Sequence, residues 1–140
     1  MAMEWTDALS VGHSVVDSQH KGLIDRLNGL VAAVTQALDD ESVGMTQVID
    51  QAAAFFSYFE EHSESEEAFM RQLLYTRVDC HAKHHRLFIN TLRTLLIDDP
   101  NLNAIKINMP FIESAVIDHL ERDDRDFGEH LRTLGLFGTL

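Results

Sequence analysis

The strongest constraint in this chain is that its apolar helical stripes are interrupted by ionisable groups. At a helical period, Leu23, Leu27, Leu30, Val34 and Leu38 share one face, and His20 stands one turn ahead of them. A second stripe, Ile49, Ala52, Phe56, Phe59, Phe69 and Leu73, is broken where His62 and Glu66 fall. A third reads His81, His85, Phe88, Leu92 and Leu95, and a fourth Ile112, Ala115, Val116, His119 and Phe127. Burying a polar side chain without a partner costs roughly 2–7 kcal/mol when neutral and more for a carboxylate. The whole stability of a domain is about 5–15 kcal/mol. So many interruptions must be satisfied together, and a metal centre inside the fold would do so.

The stripes predict helices over 18–38, 45–74, 79–97 and 109–130, preceded by an N-terminal arm over 1–17. Trp5, Leu9, Val11, Val15 and Val16 would lay that arm along the body. The run from Asp39 to Gly44 reads as a polar break, Asp79 as an N-cap and Asp98-Asp99-Pro100 as a stop. Pro110 is expected in the first turn of the last helix, where proline is tolerated. No segment alternates with period two. A length of 140 residues fits one domain. Four amphipathic helices with short links assemble most simply as an all-α, antiparallel up-down four-helix bundle.

A net charge of −12 argues against nucleic acid and anionic membrane as partners, since both need a basic surface. No apolar run approaches the ~18–20 residues that span a bilayer. No leader precedes Trp5, and the single Cys80 cannot form an internal disulfide, so a cytoplasmic protein is expected, as a monomer or weak oligomer.

His62 and Glu66 are four apart, as are His81 and His85, so each pair points one way. With His20 and His119 they form a nitrogen and oxygen donor set suited to iron, zinc, copper, nickel or manganese. A structural zinc site needs only four ligands and usually takes cysteine. Six such residues, with further carboxylates nearby, therefore read better as two metals sharing carboxylates. Ferritin-like di-iron bundles need Glu-x-x-His pairs, and none occurs here. His13, His84 and His130 read as surface or boundary residues. Glu60, Glu61, Glu64, Glu67, Asp118, Glu121 and Asp126 read as solvated faces, and Cys80 as packing.

The pattern resembles the hemerythrin family in its bacterial single-domain form. Trp5…Leu9-x-Val11-Gly12…Asp17-x-Gln19-His20-Lys21 is similar to that family's opening. His62-x-x-x-Glu66-x-x-x-Met70, Tyr75 and His81-x-x-x-His85-x-x-Phe88 are similar to its middle, and His119-x-x-x-x-Asp124-x-x-Phe127 to its end. The resemblance implies two non-heme irons with an oxo or hydroxo bridge. His81, His85 and His119 would bind one iron and His20 and His62 the other, with Glu66 and Asp124 bridging. An open position on the second iron would take dioxygen. Helical angles alone would choose Asp123, about 40° around from His119, over Asp124 at about 140°; the family pattern selects Asp124.

Two pocket positions depart from the family. Ser63 stands where phenylalanine is usual and Ala115 where tryptophan is usual, while Leu23 and Leu120 keep their apolar character. A cavity or wetter channel to the open iron is expected, favouring proton delivery and loss of peroxide. The resemblance implies an oxygen carrier, store or supplier. The alternatives are a di-iron oxidase or peroxidase, a nitric oxide or oxygen sensor, and a metal store. With no output domain before Leu140, a sensor would need a separate redox or signalling partner.

Overall fold

The computed structural model describes residues 3–39 and 41–135, apart from the side chains of 38–43. Leu38 of the first stripe and most of the predicted polar break fall in that exception. A short 3-10 turn, Asp7–Leu9, leads into α1 (Ser14–Asp39), α2 (Glu41–Gln72), α3 (Val78–Leu92), α4 (Leu102–Asp118) and α5 (Asp124–Thr133). A π-helical turn, Arg93–Asp98, prolongs α3, and another, His119–Asp123, joins α4 to α5. The chain thus forms four rods, the last being α4 and α5 together. The first packs on the second, the second on the third, and α4 closes against α1. This is an all-α four-helix bundle. Among the described residues there is no strand, and no helix is long and apolar enough to cross a membrane.

The helices begin earlier than the stripes suggest, and capping explains why. His13 stands just ahead of α1, where its Nδ1 accepts the Val16 N–H at 3.5 Å and its carbonyl accepts the Asp17 N–H at 2.9 Å. The Asp17 carboxylate in turn accepts from Ser10 Oγ and, at 2.8 Å, from the Val11 N–H. Further out, the Met3 N–H donates to Asn28 Oδ1 and Asn28 Nδ2 donates to the Met3 carbonyl, both at 2.8 Å. The arm is therefore strapped along α1, but it ends before Ser14.

Asp79 is not the N-cap of α3. It lies in the first turn, and its carboxylate accepts from Arg71 at 3.2 Å. The fourth rod begins at Leu102 because Asn101 accepts the Ala104 N–H at 3.0 Å and Leu102, Ile105 and Met109 are buried. Pro110 consequently sits inside the helix rather than in its first turn. It lies on the exposed side, where the carbonyl left without a proline N–H can meet water. Ile49, read as inward, is 43% exposed, and Val48 takes the core position beside it.

Two separate apolar clusters form the core. The larger includes Leu23, Leu27, Leu30, Phe55, Phe59, Leu92, Ile105, Ile112 and Val116. The smaller gathers Val11, Val16, Met70, Tyr75, Phe127 and Leu131. The polar interruptions of the stripes fall between them in sequence, one turn before Met70 and just before Phe127.

Near the connection of the first two rods, α1 and α2 approach closely. A Cβ added at Gly44 would lie 2.4 Å from Ala37 Cα, a backbone atom that cannot rotate away. Gly44→Ala should destabilise the fold by about 1–3 kcal/mol. Thermal denaturation checks this, and an unchanged midpoint would mean that the two helices do not meet this closely.

Candidate metal centre

Each rod delivers donors to one point in the bundle. α1 carries His20; α2 carries His62 and Glu66; α3 carries His81 and His85; the last rod carries His119 and Asp124. All seven side chains are buried. The five imidazoles turn Nε2 inward, toward the two carboxylates. Glu66 divides them: its Oε2 lies 3.1 Å from His20 and 3.3 Å from His62. Its Oε1 lies 2.7, 3.4 and 3.8 Å from His81, His85 and His119. Asp124 also reaches both sides, with Oδ2 2.9 Å from His20 and 3.2 Å from His119, and Oδ1 3.2 Å from His81. Two overlapping groups result, His20, His62, Glu66, His119 and Asp124, and Glu66, His81, His85 and His119. Within each group the donor atoms lie within 4.8 Å of one another.

The π turn settles which aspartate faces inward. The Asp124 N–H bonds to the His119 carbonyl, five residues back rather than four. The fifth residue after His119 therefore falls over it, and Asp124 is fully buried, whereas Asp123 is partly exposed at the edge.

This arrangement fits a metal centre better than a hydrogen-bonded core. His62 Nε2 and both Asp124 oxygens are buried without a hydrogen-bond partner, although ion-pair distances surround them. The separations are short, yet these atoms form no hydrogen bond, as expected of donors gathered around points that cations would fill. His85 Nε2 and His119 Nε2 face each other at 3.3 Å, which without a shared proton would set two lone pairs in opposition. Cations at those points satisfy every such atom.

Two of the outward ring nitrogens are held as well. His62 donates Nδ1–H to Gln19 Oε1 at 2.8 Å, and His85 donates Nδ1–H to Glu67 Oε2 at 2.7 Å. Asp123 Oδ2 lies 3.6 Å from His119 Nδ1, a charge contact rather than a hydrogen bond. His20 Nδ1 is buried with no partner among the described residues. Donation from Nδ1 fixes the tautomer that leaves Nε2 free as a ligand. Phe59 closes one side, with ring centroids 5.8 Å from His119 and 5.9 Å from His85.

The pocket residues read from the sequence separate. Ala115 lines an opening of about 300 Å³, with Phe59, Phe88 and Phe111, that reaches His85 and His119. The opening thus approaches the three-histidine side, not the side of His20 and His62. Ser63 is sealed in, its hydroxyl donating to the Phe59 carbonyl at 2.8 Å. Leu23 and Leu120 are buried outside this opening.

Several residues read as inert have other roles. His13 is a buried cap whose ring centroid lies 4.8 Å from that of Phe69. His130 Nε2 donates to the Leu73 carbonyl at 3.0 Å. Cys80 is exposed rather than packed, with Sγ 3.9 Å from His84 Nε2. Glu67 is not a solvated carboxylate but the partner of His85. Its only signal is indirect: as hairpin neighbours, α2 and α3 bring the residue beside Glu66 against the outer edge of the His85 ring.

Without metal, His20, His81, Glu66 and Asp124 would titrate together. Burial alone would lower His20 and His81, but Asp124 and Glu66 outweigh it and raise both to about 10. Burial opposes ionisation of Glu66 and Asp124 too, yet the surrounding imidazoles hold Glu66 well below its usual value and Asp124 at about 2. The raised histidines contribute stability fully below pH 6.5 and lose it as pH rises toward about 10. The depressed carboxylates contribute above their unperturbed values of 4.5 and 3.8 and lose it as pH falls. The metal-free protein should melt highest between about pH 4.5 and 6.5, and metal uptake at pH 7 should release protons from His20 and His81. Melting profiles and calorimetry in buffers of different ionisation enthalpy check this; proton-neutral uptake would contradict it.

Residues 11–131 match the family described as Hemerythrin HHE cation binding domain. The chain is 34% identical over 129 residues to the Bacteriohemerythrin of Stenotrophomonas maltophilia (strain R551-3), covering 91% of this chain and 80% of that protein. It is 22% identical over 119 residues to the Bacteriohemerythrin of Campylobacter jejuni serotype O:6, covering 83% of this chain and 85% of the relative. With a match over nearly its whole length and a cation-binding cluster of five histidines and two carboxylates at its centre, the chain belongs to the hemerythrin family.

Proposed function

We propose that this chain is a non-heme di-iron protein that binds dioxygen as a carrier, store or supplier. His81, His85 and His119 would hold one iron and His20 and His62 the other, with Glu66 and Asp124 shared between them. The observation that carries this reading is the division made by Glu66, whose one oxygen faces two histidines and whose other faces three. A single-metal site would not need one carboxylate turned to two separate sets. All seven donors are nitrogen or oxygen, which suits iron. Two ferrous ions would supply the two electrons that reversible dioxygen binding requires.

The protein's part is to bind, orient and exclude water. Gln19 and Glu67 lock the His62 and His85 rings. Phe59 and the flanking apolar clusters cover the site except at the opening beside Ala115. The acidic surface implies no nucleic acid or membrane partner, and we place the protein in the cytoplasm.

The test is iron content together with an anaerobic spectrum before and after air. Two irons per chain, and a visible charge-transfer band that appears with air and fades on deoxygenation, are expected. Iron that binds without such a band would point to storage. His62→Ala and Glu66→Ala should each leave a folded chain with one iron or less; two tightly held irons in either variant would refute the ligand set.

A second reading, oxidase or peroxidase chemistry, is favoured by the opening at Ala115, which gives water and peroxide a way toward His85 and His119. Ala115→Trp should fill that opening and slow autoxidation of the ferrous protein. An unchanged rate would mean that this opening does not control access.

A further inference from the structure

We propose that the two metal positions differ in strength because of what stands behind their histidines. Glu67 makes the position of His81, His85 and His119 the tighter one, and Gln19 leaves the position of His20 and His62 the weaker. This rests on the two-metal reading above.

The two outer contacts are alike in geometry and unlike in charge. Glu67 takes Nδ1–H of His85 at 2.7 Å, and Gln19 takes Nδ1–H of His62 at 2.8 Å. Each fixes its ring, so ring orientation does not separate them. The carboxylate does more: a charge-assisted hydrogen bond is roughly twice as strong as a neutral one. By drawing on the Nδ1 proton it makes the opposite nitrogen a stronger donor to a cation. The neutral amide of Gln19 orients His62 without that gain.

The remaining outer atoms widen the difference. Asp123 puts a second carboxylate near the same half, 3.6 Å from His119 Nδ1. His84 also faces Asp123 from the solvent side at 3.4 Å, so that charge is partly shared. In the other half, His20 Nδ1 is buried with nothing behind it among the described residues. The inner carboxylates do not offset this, because Glu66 and Asp124 each reach both halves. Glu67 and Gln19 are therefore positioning residues that grade the two sites. Metal would leave the His20 and His62 position first and return to it last.

The test withdraws iron from the loaded ferrous protein under anaerobic conditions with rising EDTA, counting iron left per chain. The unsubstituted protein should lose its irons in two separated steps. Three histidines against two would also favour such an order, so the substitutions decide. Glu67→Gln keeps an acceptor behind His85 and removes only its charge, so it should weaken the tighter step about tenfold, the lower end of what altering an outer partner costs, and leave the weaker step in place. Gln19→Glu should tighten the weaker step alone, and it tests the idea even if Glu67→Gln fails to fold. A tighter step unmoved by Glu67→Gln, equal shifts of both steps, or a weaker step indifferent to Gln19→Glu would overturn this inference while leaving the two-iron reading intact. One iron, or none, in the unsubstituted protein would overturn both.

Discussion

The structure depends on the meeting of five imidazole nitrogens and four carboxylate oxygens in the buried middle of the bundle. Nothing else in the bundle is so expensive to assemble. Each donor has left water for an interior where an unpaired polar group costs several kcal/mol. In the absence of a cation the cluster can hold itself together only by sharing protons between His20, His81, Glu66 and Asp124. With cations, the same groups become mutually supportive. The bundle therefore stores an electrostatic demand in its middle and places apolar packing on either side of it. The separation into two hydrophobic clusters follows from that demand.

Much of this was legible in the chain. Four stripes at a helical period give four rods, and the residues interrupting them are six of the seven that meet; the seventh, Asp124, comes from the family pattern, since helical angles favour Asp123. What could be read was periodicity, because burial acts on every turn of a helix. What could not be read was local. The imidazole of His13 caps α1, a task more familiar from serine or aspartate, and no stripe marks it. Asn101 starts α4 well ahead of Pro110, so a proline that looked like a beginning lies in the interior. Glu67 looked solvated because a carboxylate beside another carboxylate usually is. Its role appears only when α3 is laid against α2 and the back of the His85 ring comes into reach.

The Ala115 and Ser63 departures show how position decides the effect of a lost ring. Both were expected to open space over the same metal. Ser63 turns its hydroxyl to the carbonyl one turn back and is covered, so its side of the site stays closed. Ala115 stands at the edge between α3 and α4, where no neighbour moves in and Phe111 remains 53% exposed. The site is accordingly sealed toward His20 and His62 and approachable toward His85 and His119. Any small molecule that reaches it meets first the half whose histidines are backed by carboxylates.

The π turn from His119 to Asp123 has a consequence beyond this molecule. It accommodates one more residue than an α-helical turn, so the fifth residue after His119 stands where the fourth would stand in a regular helix. Histidine and aspartate separated by four residues across such a turn, or by three along an unbroken helix, present the same two side chains to the same point. Sequence spacing and spatial relation are thus decoupled at this one place. A chain that loses a single residue here could keep its ligand geometry while losing the spacing by which the ligand would be recognised.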